Sequence, residues 1–158
     1  MNTLQVVLWV HVAAGFAALT LGPVAMSVRK RRGSHTRVGE VYHWLVLVAC
    51  LLAVVVVLFD WRRLYWFVPI SVGSYAFAFL GYVAVKKRWH GWLEWHVIGQ
   101  LGSYIAMVTA FLVNNWHTVS QFTGLRIPMI VVWLLPSIVG SPIIFWVNLR
   151  IAKRQRQS

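Results

Sequence analysis

Five long stretches of the chain are almost uninterruptedly apolar: Leu4–Val28, Val41–Phe59, Leu64–Val85, Leu93–Asn115 and Pro128–Leu149. Each approaches or exceeds the ~20 residues that a helix needs to cross a hydrocarbon core of ~30 Å. The runs are continuous, whereas a membrane β-barrel requires strict alternation. A helix satisfies its own backbone hydrogen bonds, which lipid cannot do for it. The pattern therefore predicts an all-α polytopic membrane protein, with five transmembrane helices in one bundle and a basic tail over residues 150–158.

Within the spans, small and polar residues recur at helical spacing. The first reads His11, Ala14, Gly15, Ala18, Gly22 along one face. The third carries Ser71, Ser74, Tyr75, Ala78, Gly81 and Tyr82, and the fifth Ser137, Gly140, Ser141 and Asn148. Small residues let a neighbouring helix approach closely, so these stripes predict packing faces. Pro23 follows Gly22, and Pro136 and Pro142 interrupt the fifth span, which argues against a straight fifth helix. The fourth span is the most polar. His96, Gln100, Ser103, Tyr104, Met107 and Asn114 share a face, which must turn toward protein or a cavity. The second span, after Tyr42 and His43, is almost pure Leu, Val and Ala. Cys50 falls on the His43 face and reads as a small hydrophobe.

Charge sets the expected direction. Arg29, Lys30, Arg31, Arg32 and Arg37 fill the first connection, Lys86, Lys87 and Arg88 the third, and Arg150, Lys153, Arg154 and Arg156 the tail. The other side holds only Arg62, Arg63 and Arg126. The positive-inside rule then places the N-terminus outside and the C-terminus in the cytoplasm. Residues 1–8 carry no basic group and the first cluster follows the apolar run. That is the reverse of a cleavable signal, so the first helix is expected to be retained.

Composition agrees with a membrane protein. Hydrophobic residues make up 59% of the 158, charged ones only 11%. The mean hydropathy is +0.69. A soluble domain of this size could not cover so much apolar surface. With 10 Trp, 8 Phe and 5 Tyr the chain is no disordered segment, and one cysteine rules out a disulfide scaffold. The net charge of +12 would suggest nucleic acid in a soluble protein. Here it sits in connections between spans, so the expected partner is the lipid bilayer and not nucleic acid.

The chain has three carboxylates. Asp60 lies in a turn beside Arg62 and Arg63, while Glu40 and Glu94 each stand close to histidines at cytoplasmic helix starts. One reading of Glu40 and Glu94 is stabilisation of a helix N-terminus. Another is a metal site, zinc or iron, built from Glu40, His43, Glu94 and His96. A third constellation uses the histidines alone. His43 and His96 lie at similar depth near the cytoplasm and could hold a b-type haem between them. His11 would serve an outer site or a proton path. His35, His90 and His117 read as loop residues. No GxSxG, HExxH or Gly-rich phosphate loop is present.

The strings HVAAGFAALTLGPVAM and HTRVGEVY carry His11, Gly15, Gly22, Pro23 and then His35, Arg37, Gly39, Tyr42. Together with EWHVIGQLGSYIAMVTAFLVNN they resemble an uncharacterised family of bacterial polytopic membrane proteins, domain of unknown function 2306. Thr36, between His35 and Arg37, departs from the family's His-Arg pair. The resemblance covers about two-thirds of the chain. It implies a multi-pass fold in the bacterial cytoplasmic membrane and no particular activity.

The expected function is haem or metal binding through intramembrane histidines, in electron transfer or respiratory-complex assembly. The alternatives are a small-solute or proton transporter or channel subunit, its path lined by Gln100, Ser103, Tyr104 and Asn114, and a non-catalytic accessory subunit. A homodimer or larger complex would suit so thin a bundle.

Overall fold

A computed structural model describes residues 2–29 and 33–157. Among these residues all regular structure is helical: α1 (Thr3–Ser27), α2 (Ser34–Phe59), α3 (Trp61–Leu64), α4 (Phe67–Lys87), α5 (Trp92–Asn114), α6 (Trp116–Thr123) and α7 (Met129–Gln155). The five long ones, α1, α2, α4, α5 and α7, are long and apolar enough to cross a membrane. They correspond to the five expected spans. Lys30, Arg31 and Arg32, which weigh in the orientation argument, lie outside the described residues.

The helix limits differ from the apolar runs in instructive ways. α2 begins at Ser34, a full two turns before the apolar run, and takes in His35, Arg37 and Glu40. α7 continues to Gln155, so most of the basic tail is helical. Polar residues extend a helix readily once its backbone ladder is running, and hydropathy does not register them. α7 also persists as one element through Pro136 and Pro142. Two short helices, α3 and α6, occupy connections that apolar patterning leaves blank.

Local chemistry explains the ends. α1 opens with a capping box: the Gln5 amide donates to Asn2 Oδ1 at 2.9 Å, and the Asn2 amide donates to Gln5 Oε1 at 3.0 Å. The α4–α5 turn places Arg88 and Gly91 at positive φ, 49° and 71°, where glycine costs little and arginine is unusual. α5 ends where Asn114 and Asn115 each donate a side-chain amide to a carbonyl one turn back, at 3.0 and 2.8 Å. Gly124, at φ 67°, closes α6.

The chain packs as two units, Met1–Ala78 and Phe79–Ser158, with α4 continuous from one into the other. In the first unit α1 and α2 pack together as an antiparallel hairpin. Ala14, Ala18 and Gly22, four residues apart, are the buried positions of α1. The buried positions of α2 are Tyr42, His43, Val46, Ala49 and Val57. In the second unit α5 packs on α7. Gly140 of α7 meets the side chain of Ile105 so closely that a Cβ there would overlap it.

Gly140→Ala should therefore destabilise the α5–α7 pair by about 1–3 kcal/mol, the usual cost of overpacking. Gly15→Ala, with nothing within 4 Å of the added carbon, should be neutral or slightly stabilising. Thermal unfolding of both variants in one detergent tests the contrast, and equal effects would contradict the assigned packing.

Candidate functional site

The histidines are the natural starting point, since an imidazole inside a span needs a partner. His11 Nδ1 lies 2.9 Å from the carbonyl oxygen of Ala49, across the α1–α2 contact. His96 Nδ1 lies 3.0 Å from the carbonyl oxygen of Gly81, joining α5 to α4 inside the second unit. His35 Nδ1 lies 2.9 Å from the carbonyl oxygen of Ala25. A carbonyl oxygen only accepts, so in all three rings Nδ1 carries the proton and donates. Nε2 is then the basic nitrogen, and the ring plane is fixed by the neighbouring helix.

His35 also answers a local need. α1 ends at Ser27, so the Ala25 carbonyl is among the terminal four that have no partner within the helix. The His35 imidazole, in the first turn of α2, supplies one. His35 is thus a helical residue and not a loop residue as the sequence suggested. His117 also sits in a helix, α6, with its ring 4.0 Å from that of Trp116. His90 is in the α4–α5 turn.

His43 is 3% exposed. Its ring centroid lies 5.6 Å from that of Tyr75 and 5.7 Å from that of Trp44, the latter edge-on. Its surroundings are aromatic, with the buried Tyr42 next in sequence. His43 lies six residues before Ala49 on α2, about 9 Å along the axis from the level at which His11 is held. The two histidines of the first unit therefore occupy separate depths.

In the second unit His96 and Gln100 both lie against Gly81. A Cβ on Gly81 would come within 2.8 Å of Gln100 Nε2 and 3.0 Å of its backbone nitrogen. The glycine lets α5 come close enough for His96 to reach the Gly81 carbonyl. Ser103, one turn on, is fully buried, and its hydroxyl has no hydrogen-bond partner among the described residues. Tyr104 is half-buried beside it. Asn114, the outer end of the expected polar path, is exposed and bonds its own helix end. The stripe from His96 to Ser103 is thus continuous, half-buried at His96 and Gln100 and buried at Ser103, and Asn114 stands apart from it.

Of the carboxylates, Glu94 is in the first turn of α5, a favourable place for a negative charge. One of its oxygens, Oε2, is buried without a hydrogen-bond partner among the described residues. Glu40 falls in the second turn of α2 and not at its start. Glu40 and His43 belong to the first unit, Glu94 and His96 to the second. Among the described residues no group of three or more His, Cys, Asp and Glu side chains is gathered as a metal-binding set.

Away from the histidines, an open groove of about 520 Å³ runs between α6 and the start of α7. Trp116, Ser120, Arg126 and Met129 line it. None of the candidate site residues named from the sequence borders it, although Arg126 of the charge count does.

No known family, no characterised sequence and no solved structure matches the chain.

The sequence reading missed the acceptors. Nothing in the residue types marks Ala25, Ala49 or Gly81 as the carbonyls that imidazoles would seek. Only Gly81, as a small residue in a stripe, carried a signal.

The bonds themselves can be weighed. His11→Ala and His35→Ala should each lower stability by about 1 kcal/mol, the scale of an interhelical hydrogen bond in a membrane protein. His117→Ala, on the exposed surface of α6, should leave stability within about 0.5 kcal/mol of wild type. Unfolding midpoints of the three variants provide the comparison. A silent His35→Ala would mean that the α1 terminus is satisfied by other means.

Proposed function

We propose that the protein holds a b-type haem through intramembrane histidines and serves electron transfer or the assembly of a respiratory complex. The observation that carries this reading is the anchoring of His11 and His96. Each ring is oriented by a main-chain carbonyl at Nδ1, so Nε2 is the nitrogen that would ligate iron. Ligating histidines commonly have this arrangement, in which the second nitrogen fixes ring and tautomer. His43, nearly inaccessible and lined by aromatic rings, is the third candidate ligand.

The donor chemistry suits haem better than zinc. Haem iron takes one or two axial side chains. A zinc site takes three or four protein ligands, and no such group of His, Cys, Asp and Glu is gathered among the described residues. When bound, haem would supply one-electron exchange. The chain's own residues would orient the imidazoles, exclude water with the Tyr42, Tyr75 and Trp44 rings, and keep the site apolar.

A second reading, a small-solute or proton transporter, draws on Ser103. A fully buried hydroxyl without a partner is a costly feature, and a transient ligand or a water would relieve it. His96, Gln100, Ser103 and Tyr104 would then line the path. In either reading the positive-inside rule favours an external N-terminus, a cytoplasmic C-terminus and the bacterial inner membrane.

Optical spectra of the protein purified in mild detergent from haem-supplied cells, oxidised and dithionite-reduced, test the first reading. A Soret band with sharp reduced α and β bands is expected, lost in His43→Ala or His96→Ala variants that still fold. A colourless sample would overturn it. Under the second reading, flux in proteoliposomes should fall in Gln100→Leu with no spectral change. Reporter fusions at the two termini should give cytoplasmic signal only at the C-terminus.

A further inference from the structure

Three cation–aromatic pairs stand at one end of the second unit. Lys86 Nζ lies 5.1 Å from the centre of the Tyr82 ring. The Arg88 guanidinium lies 5.8 Å from that of Trp92, and the Arg150 guanidinium 3.4 Å from that of Trp146. All three cations are exposed.

Their placement follows one rule. α5 returns from α4 after a short turn, and α7 returns from α5, since Trp116 and Met129 share a groove at the far end. Ile105 of α5 faces Gly140 of α7. Thirteen residues back from Ile105 is Trp92, and thirteen on from Gly140 is Lys153, so both lie about 20 Å from that crossing. Gly81 is level with His96, which puts Lys86 and Trp92 within about 2 Å of one another in depth. In α4 and α7, which run toward this end, the cation is four residues after its ring. Beside α5, which runs away, it is four residues before. In every pair the cation is therefore the member nearer the helix ends.

Within each pair the aromatic residue lies one turn nearer the crossing than its cation, the order of a membrane interface, where rings sit at headgroup level and long basic side chains reach phosphate. Between pairs the depths differ, with Trp146 and Arg150 about 9 and 15 Å from the crossing and Trp92 about 20 Å. Lys87, Lys153 and Arg154 add to the same end, and Glu94 is the single carboxylate of the whole second unit. A guanidinium held over a ring, as that of Arg150 is over Trp146, can still direct its N–H fork at two phosphate oxygens.

We infer that this end of the second unit is a binding site for anionic phospholipid, with Arg88 and Arg150 as the phosphate-binding residues. The inference does not depend on haem or transport. Basic groups at a membrane surface contribute about a fivefold gain in affinity each for anionic lipid, so removing two predicts a loss of about 25-fold.

Native mass spectrometry of the full-length protein in mild detergent, titrated with phosphatidylglycerol or phosphatidylcholine, provides the test. Wild type should prefer phosphatidylglycerol. R88Q/R150Q should lose about 25-fold for that lipid and nothing for phosphatidylcholine. R150K, which keeps the charge without the stacked fork, should lose part of the affinity, and R126Q at the opposite end none. Glycerol 3-phosphate, a headgroup without acyl chains, should not compete. Equal binding of both lipids, an equal loss in R126Q, or full competition by glycerol 3-phosphate would overturn the site. Should the double variant not remain folded, R150Q alone against R126Q carries the same comparison.

Discussion

The hydrogen bond from an imidazole Nδ1–H to a main-chain carbonyl of the next helix is the interaction on which this architecture turns. It occurs at His11, His35 and His96, each time across a helix hairpin. Such a bond demands that two backbones come close, and close approach demands small side chains. Ala14, Ala18 and Gly22 are the buried positions of α1, and Gly81 performs the same role against α5. In lipid there is little hydrophobic drive between helices, so packing contacts and such bonds decide which faces meet. The α1–α2 hairpin is tied at its connecting end, at Ala25, and again about midway along the helices, at Ala49. It therefore resists both sliding and splaying.

The same bonds connect structure to chemistry. An imidazole fixed through Nδ1 is a structural link whose orientation and tautomer are set, as they commonly are in ligating histidines. His43 differs, being enclosed by aromatic rings, with its depth set apart from His11. Gln100 and Ser103 continue the His96 face inward. These three residues form a polar strip along α5, with His96 and Gln100 against Gly81 of α4, and at the basic end each ring lies one turn inside its own cation.

The number and type of spans were legible in the sequence because ~20 continuous apolar residues have few other uses. The stripes on the first and third spans were legible too, since Ala, Gly and Ser at four-residue spacing mark contact faces. The fourth span announced itself through His96, Gln100 and Ser103, polar residues that lipid would not accept. The second span did not. Leu, Val and Ala on every side give no contrast between a lipid face and a protein face, so the buried set Val46, Ala49 and Val57 emerged only from packing. Glu40 and His35 were misplaced relative to the helix start, because hydropathy finds the membrane core and not the helix that extends beyond it.

By itself, then, the sequence determined a five-span helical membrane protein, its close-packing stripes and the asymmetry of its charge, all of which follow from local composition against a ~30 Å apolar slab. The tertiary structure decided the partners. It assigned His11, His35 and His96 to particular carbonyls, gave Gly140 to Ile105, detached Asn114 from the polar stripe and layered Tyr82, Trp92 and Trp146 beneath their cations. A backbone carbonyl has no residue type, so no pattern of side chains along the chain could have named it.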